Sequence, residues 1–207
     1  KEDETKWYAY IVIENESGWY NNQTYVDTLS KKAIDRFIEV THEAYKKAVG
    51  DRFGKTVPSI FTDEPQFWHK QTLAFAQSKD DVTLPWTMEL EKKFAEHYGY
   101  DICDKLPELF WDLPEGKISY ARYCYHDFVT ELFTQSFADN CGKWCKDNGI
   151  AFTGHMLNEP TLFTQTGSLG EAMRAYRSFT IPGIDMLCDG HEYTTAKQAQ
   201  SAAHQYG

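Results

Sequence analysis

The sequence lacks the features that mark several common protein classes. It has 21 lysine and arginine residues against 31 aspartate and glutamate residues, for a net charge of -10. This balance provides no basic surface for nucleic acid or an anionic membrane, so neither is expected as a partner. No apolar run approaches the roughly 20 residues that span a bilayer, and no charged-then-apolar leader opens the sequence.

Cysteines are few, and their number is odd. The sequence has five of them in 207 residues, too sparse for a disulfide scaffold. Cys141 and Cys145 are four residues apart in a helical pattern, and no second pair has metal-ligand spacing. The sequence therefore predicts buried free thiols rather than a disulfide or a zinc site.

Several catalytic motifs are also missing. No GxGxxG or GxxxxGK[ST] motif follows a predicted strand, and there is no GxSxG, HExxH or EF-hand pattern, which argues against nucleotide binding, a serine nucleophile and the common motif-based metal sites. We therefore assign no metal ligands. A calcium site built across separate loops would leave no such spacing. Acidic and imidazole side chains that could surround a cation are those of Asp27, Asp63, Glu64, His155 and Glu159.

Strand-like and helix-like segments alternate along the chain. The strand patterns cover 7–14, 24–27, 57–61, 150–157 and 183–187. The helical patterns begin at Ser30 and then cover 86–98, 119–148, 169–178 and 194–206. This order favours an α/β protein with parallel strands, either an open doubly wound sheet or part of a (β/α)8 TIM barrel.

The positions of polar residues favour the barrel. Barrel enzymes build active sites at the carboxyl ends of their strands, and polar side chains occur there at Asp27, Asp63, Glu64, His155, Asn158, Glu159, Asp185 and Asp189. We therefore expect one partial catalytic barrel domain over 1–207, with 66–118 as a helical insertion after the 57–61 strand. The number of units predicts a fragment, whose barrel the remainder of the same polypeptide would complete.

Two phrases, "FTDEPQ" and "LNEP", each place a glutamate directly before a proline. Glu64 and Glu159 are therefore expected to have extended backbone, because a proline ring disfavours the helical conformation of the residue before it. Glycoside hydrolases use two carboxyl groups, which neighbouring strand ends could supply here. The distance between the two carboxyl groups is near 5 Å in enzymes that retain the anomeric configuration and roughly 6.5–9.5 Å in those that invert it. Alternatively, these glutamates cap helices or pair with basic residues. We predict that Glu64 and Glu159 are catalytic.

Other side chains near these phrases are candidates for substrate binding. His155 either contacts the sugar or satisfies a buried hydrogen bond, and Trp68 either stacks on a sugar ring or packs in the core. The predicted substrate-binding residues are Asp27, Asp63, Trp68, His155, Asn158, Asp189 and Glu192.

Several phrases in order carry a resemblance to a known family. From about Trp19 onward, "YVDTLSKKAIDRFIEVTHEAYKKAVGDRFGKTVPSIFTDEPQF", "FTGHMLNEPTLFTQTG", "IPGIDML" and "AKQAQSAAHQYG" resemble the catalytic barrel of bacterial glycoside hydrolases, most closely family 106 α-L-rhamnosidases and their relatives. The resemblance implies hydrolysis of O-glycosidic bonds in plant or host polysaccharides, by inversion, with Glu64 and Glu159 as site residues. It allows for a bound calcium and leaves cytoplasmic and secreted locations open.

Two alternatives remain at this stage. One is a retaining glycosidase of the clan that uses Asn-Glu-Pro, in which Glu159 is the acid/base and a later strand supplies the nucleophile. The other is a non-catalytic carbohydrate-binding or scaffolding module that uses the same cleft.

Overall fold

A computed structural model of the chain describes residues 6–67, 70–186 and 193–207. Its only sheet within these ranges has three parallel strands in the order β1-β2-β3. These are β1 (Ser59–Asp63), β2 (Ala151–His155) and β3 (Ile181–Pro182). Asp63 lies opposite His155 in the register. Helical segments connect the strands, as parallel pairing requires.

The prediction of part of a (β/α)8 TIM barrel is wrong. The described residues form one sheet of three strands among many helices, which is no basis for such a barrel. The segment 7–14 alternates like a strand, but it pairs with no other described segment and its Tyr8 and Ile13 side chains are 82% and 84% exposed. Alternation produces a strand only where a partner completes the hydrogen-bond ladder.

Two other predicted strands also differ from the structure. Residues 24–27 form no strand. The predicted strand at 183–187 is displaced, because the observed strand is Ile181–Pro182 and residues 183–186 follow it as irregular chain. Residue 187 lies outside the described residues.

The helices agree better with the sequence patterns. A helix begins at Ser30 as predicted, and Ser30 is its N-cap, with a hydroxyl that accepts a 3.4 Å hydrogen bond from the Ala33 N–H. The helix that follows is divided at Thr41, whose hydroxyl donates to the Phe37 carbonyl at 2.6 Å. In the first half of the chain the helices are α1 (Lys31–Val40), α2 (His42–Val49), α3 (Leu90–Tyr98) and a 3-10 helix (Ile102–Leu109).

The long helix expected over 119–148 is present with a wider turn in its middle. It consists of α4 (Tyr120–Phe133), a π-helical turn (Thr134–Asp139) and α5 (Asn140–Asp147). Ser119 caps it, accepting from the N–H groups of the next turn. The remaining helices are α6 (Leu162–Ser168), α7 (Ala172–Tyr176) and α8 (Tyr193–Tyr206).

The core lies between the long helix and the sheet. Phe152 of β2 contacts the ring of Phe179, at a centroid distance of 4.4 Å, and α4 contributes Tyr125 and Phe133, both essentially fully buried. This packing holds one side of the parallel strands against helices, so that their carboxyl ends open onto a shared edge.

Buried free thiols are confirmed for the pair four residues apart. Cys141 and Cys145 are both buried and free, and burial raises the pKa of the Cys145 thiol to about 12. Such thiols stay protonated and unreactive. Within the described parts of the chain, no helix has the length and apolarity needed to cross a membrane.

Candidate active site

The three strands bring two carboxylates and an imidazole together at their carboxyl ends. Glu64 follows β1, His155 ends β2 and Asp185 follows β3; each offers a ligand-type atom within 4.8 Å of the other two. The His155 Nε2 atom lies 3.0 Å from Asp63 Oδ1 and 4.0 Å from Asp185 Oδ2. The pairing of β1 with β2 therefore places the "FTDEPQ" carboxylates beside the second phrase.

His155 is held in place from two directions. Its ring is only 8% exposed, and the edge of Phe61 packs against it at a centroid distance of 5.6 Å. Asp63 pairs with Nε2, whereas Nδ1 is buried and has no hydrogen-bond partner. The imidazole is thus a fixed polar group in the wall of the site.

Glu64 has an unusual backbone conformation. Its φ is +47°, so the expected extended backbone is wrong at this residue. Non-glycine residues rarely adopt positive φ, and such strain persists only where neighbouring structure enforces it. Here Gln66 is anchored on both sides: its carbonyl accepts from the Thr28 hydroxyl at 2.6 Å and its N–H donates to the Tyr25 hydroxyl at 3.3 Å. The turn consequently directs the half-buried Glu64 side chain toward His155.

Glu159 is the most deeply buried acid of the site, at 3% exposure. Its Oε1 atom accepts from the Met156 N–H at 2.8 Å and lies 3.2 Å from the Tyr176 hydroxyl. Burial raises the pKa of the Glu159 carboxyl, and the nearby Asp185 charge adds to this. The Met156 N–H, His155 and Tyr176 oppose the effect without cancelling it.

The Tyr176 hydroxyl contacts both the Glu159 carboxyl and a backbone carbonyl oxygen. It lies 2.9 Å from the Gly183 carbonyl oxygen, an acceptor only, and 3.2 Å from Glu159 Oε1. A hydroxyl has one proton to donate. If that proton serves Gly183, a protonated Glu159 can donate to the Tyr176 oxygen, and every group in the chain of hydrogen bonds is then satisfied.

The Glu159 backbone is fixed by two glutamine side chains. Its carbonyl accepts from Gln165 Nε2 at 2.6 Å and from Gln198 Nε2 at 2.8 Å. Gln165 also donates to the Gln198 amide oxygen and accepts from the Ala172 N–H. α6, α7 and α8 are thereby tied to the loop that carries Glu159.

Gln165→Leu is expected to lower the free energy of unfolding by about 1–3 kcal/mol, the cost of leaving buried polar groups unpaired. Gln165 is 2% exposed, so water cannot replace it at the Ala172 N–H. Urea unfolding would measure the change. Gln205→Leu, at an exposed position on α8, is the matched control and should change stability little; equal effects of the two substitutions would contradict the prediction.

The raised pKa of Glu159 predicts a pH-dependent stability. A group whose pKa is higher in the folded than in the unfolded protein stabilises the fold fully below its unfolded pKa, and this contribution is lost as pH rises through the folded pKa. Melting temperatures of the wild type and Glu159→Gln should therefore be compared from pH 4 to pH 8. The wild type should lose stability relative to the variant toward high pH, and a constant difference would exclude a raised pKa.

The other residues predicted to bind substrate lie in different surroundings. Asn158 is exposed, and its amide donates to the Ser168 hydroxyl at 2.7 Å. It borders an open cleft of about 220 Å³. Asp27 accepts from the Thr87 hydroxyl at 2.6 Å and from the Leu29 N–H at 3.0 Å, so both of its carboxylate oxygens are engaged within the fold. Trp68, Asp189 and Glu192 lie outside the described residues.

The structural alternatives for the two glutamates are not supported. Within the described ranges, neither Glu64 nor Glu159 forms an ion pair with lysine or arginine. The helix after Glu159 is capped by Thr161 instead. Sequence reasoning missed Tyr176, Gln165 and Gln198, which occur in helical segments where tyrosine and glutamine are indistinguishable from packing and surface residues.

The described residues do not fit the calcium that the family resemblance allows. Calcium takes six to eight oxygen ligands. Glu64 and Asp185 supply carboxylate oxygens, but the third member of their group is the His155 imidazole, a ligand that suits transition metals better. We therefore assign calcium no part in the chemistry.

Comparison with known proteins adds information on the fold. No protein-family model matches the chain, and no curated protein does so either. Among solved structures, the chain is similar to a rhamnosidase from Novosphingobium sp. PP1Y, with a TM-score of 0.62 and 20% sequence identity. The match covers 89% of this chain and 17% of that chain. The chain thus shares its fold with about one sixth of that rhamnosidase.

Proposed function

We propose that this chain supplies active-site residues of a glycoside hydrolase that cleaves O-glycosidic bonds of polysaccharides. Glu159 is the general acid, and Glu64 is the partner carboxylate. The observation that carries the proposal is the buried Glu159 carboxyl, whose pKa is raised by desolvation beside a cluster of more accessible acids.

This difference in environment matches what glycoside hydrolysis requires. One carboxyl must be protonated so that it can donate to the departing sugar oxygen, and a second must be ionised so that it attacks the anomeric carbon or activates water. Glu159 is buried, whereas Glu64 is half-buried on the neighbouring strand end. The deeper burial of Glu159 assigns it the acid role, and the more accessible Glu64 is assigned the role of nucleophile or base.

The remaining polar groups have supporting roles in this proposal. Asp63 orients the His155 ring through their 3.0 Å contact, and His155 and Asp185 face the same space as Glu64. These side chains can hydrogen-bond sugar hydroxyls, which require donors and acceptors at fixed positions. The likeness to a rhamnosidase makes an α-L-rhamnoside the first substrate to test.

The test is hydrolysis by the full-length natural protein of a panel of aryl glycosides that includes the α-L-rhamnoside. We expect release of the aryl group from at least one member, and Glu159→Gln should slow this release most where the leaving phenol is weakly acidic. Saturable sugar binding without release from any glycoside would contradict the proposal and favour a carbohydrate-binding module.

A further inference from the structure

Lys70 borders the Asn158 cleft and lies near two basic side chains of α4. Arg122 and His126 are four residues apart on α4 and so share one face of the helix. Lys70 is half-buried and lies close enough to interact electrostatically with both. Burial, followed by the charges of Lys70 and Arg122, lowers the pKa of His126 to about 4.

The positive charge of these side chains is only partly neutralised. Arg122 donates to Asp112 Oδ1 at 2.8 Å and to the Glu108 carbonyl at 3.0 Å, but its Nη2 is buried with no partner. Nε2 of His126 is also buried with no partner. Lys70 forms no ion pair with any residue in the ranges 6–67, 70–186 and 193–207. The low pKa of His126 leaves it uncharged near neutral pH, so the positive charge comes from Arg122, which pairs with Asp112, and from Lys70.

Lys70 connects these side chains to the proposed active site. It borders the cleft of about 220 Å³ together with Asn158, Phe163 and Ser168. Asn158 directly precedes Glu159, and the Phe163 ring is 79% exposed, so it is free to stack on a sugar face. Lys70 also lines a second cleft, which Asp80 and Asp81 border. Their negative charges would repel an anion there, so an anion is favoured in the Asn158 cleft.

We propose that the Asn158 cleft is a sugar subsite for an anionic saccharide, in which Lys70 binds the acidic group and the Arg122 charge reinforces the attraction. We assign the acidic group as a carboxylate; a sulfate ester would offer Lys70 the same contact with a point charge, and the test below separates the two. The assignment of the cleft to carbohydrate rests on the proposed function. The substrate class is therefore a glycoside that contains a uronic acid.

The test compares four ligands that differ in charge: galacturonate, galactose 6-sulfate, galactose and inorganic sulfate. Their dissociation constants would be measured by calorimetry on the full-length Glu159→Gln variant, in which binding is independent of turnover. Galacturonate should bind about tenfold or more tightly than galactose, as expected for a charge-assisted hydrogen bond. Galactose 6-sulfate binding more tightly than galacturonate would identify a sulfate ester as the ligand and overturn the carboxylate assignment.

Variants then locate the effect. Lys70→Gln should bring galacturonate and galactose to similar affinities, Lys70→Arg should keep the preference, and Lys55→Gln, at an exposed lysine, should leave it unchanged. A preference that survives Lys70→Gln, or inorganic sulfate binding as tightly as galacturonate, would overturn the subsite. If the protein hydrolyses neutral glycosides but binds galacturonate no more tightly than galactose, the subsite is refuted and the catalytic role stands. If it binds galacturonate more tightly but hydrolyses no glycoside, the catalytic role is refuted.

Discussion

Replacing Glu159 by glutamine is expected to lower kcat of the full-length protein by about 10²–10⁴-fold, the usual contribution of a general acid. Glutamine has nearly the same shape and can accept the Met156 N–H, which bonds to Oε1 at 2.8 Å in the wild type. It cannot donate an acidic proton to a leaving oxygen. The variant should therefore fold normally while losing turnover.

The leaving group provides the sharper measurement. When the leaving group of an aryl glycoside is a very acidic phenol, it departs as the phenolate and needs no proton from the enzyme. The Glu159→Gln variant should therefore lose far less activity on such a substrate than on an alkyl glycoside. Loss of the nucleophile or base at Glu64 should reduce both reactions together. The kcat ratio between the two substrates thus distinguishes the acid from its partner.

Glu96→Gln is a suitable control, because Glu96 is an exposed residue on α3. Its kcat should equal that of the wild type. Wild-type turnover in Glu159→Gln, or an equal loss on both leaving groups, would remove Glu159 from the acid role.

The sequence predicted the local parts of this site and missed the long-range ones. Proline after a glutamate, following an apolar strand, located Glu64 and Glu159 correctly at the ends of β1 and β2. The helix starts at Ser30 and Ser119 were also predicted, because the signals that begin a helix depend on neighbouring residues. Each of these signals lies within a few residues of the feature that it predicts.

The features that sequence reasoning predicted wrongly or missed depend on residues that are distant in the chain. Alternation at 7–14 could not reveal that no described segment pairs with it as a strand. The positive φ of Glu64 follows from hydrogen bonds made by Tyr25 and Thr28 about forty residues earlier. Tyr176 joins the site because its hydroxyl, on α7, reaches both Glu159 and the Gly183 carbonyl just after β3. Such contacts come from tertiary packing, which overrides local preference.

Replacing Gly154 by alanine is expected to have the largest effect on stability. Gly154 lies in β2 opposite Thr62 of β1, and its φ is +142°. A Cβ atom there would lie 2.0 Å from the Thr62 carbonyl oxygen. The strands would have to separate, because backbone cannot rotate away as a side chain can, and the unfavourable φ adds about 1–3 kcal/mol.

We expect Gly154→Ala to lower the free energy of unfolding by more than about 4 kcal/mol, a value reached only where packing or strain is severe. Gly167→Ala is the matched control, since Gly167 is in α6 with nothing within 4 Å of an added Cβ; it should be neutral or stabilise by about 0.5–1 kcal/mol. Urea unfolding would compare them. A Gly154→Ala loss below about 1 kcal/mol would mean that β1 and β2 do not approach this closely, and the 3.0 Å Asp63–His155 contact that depends on their register would lose its support.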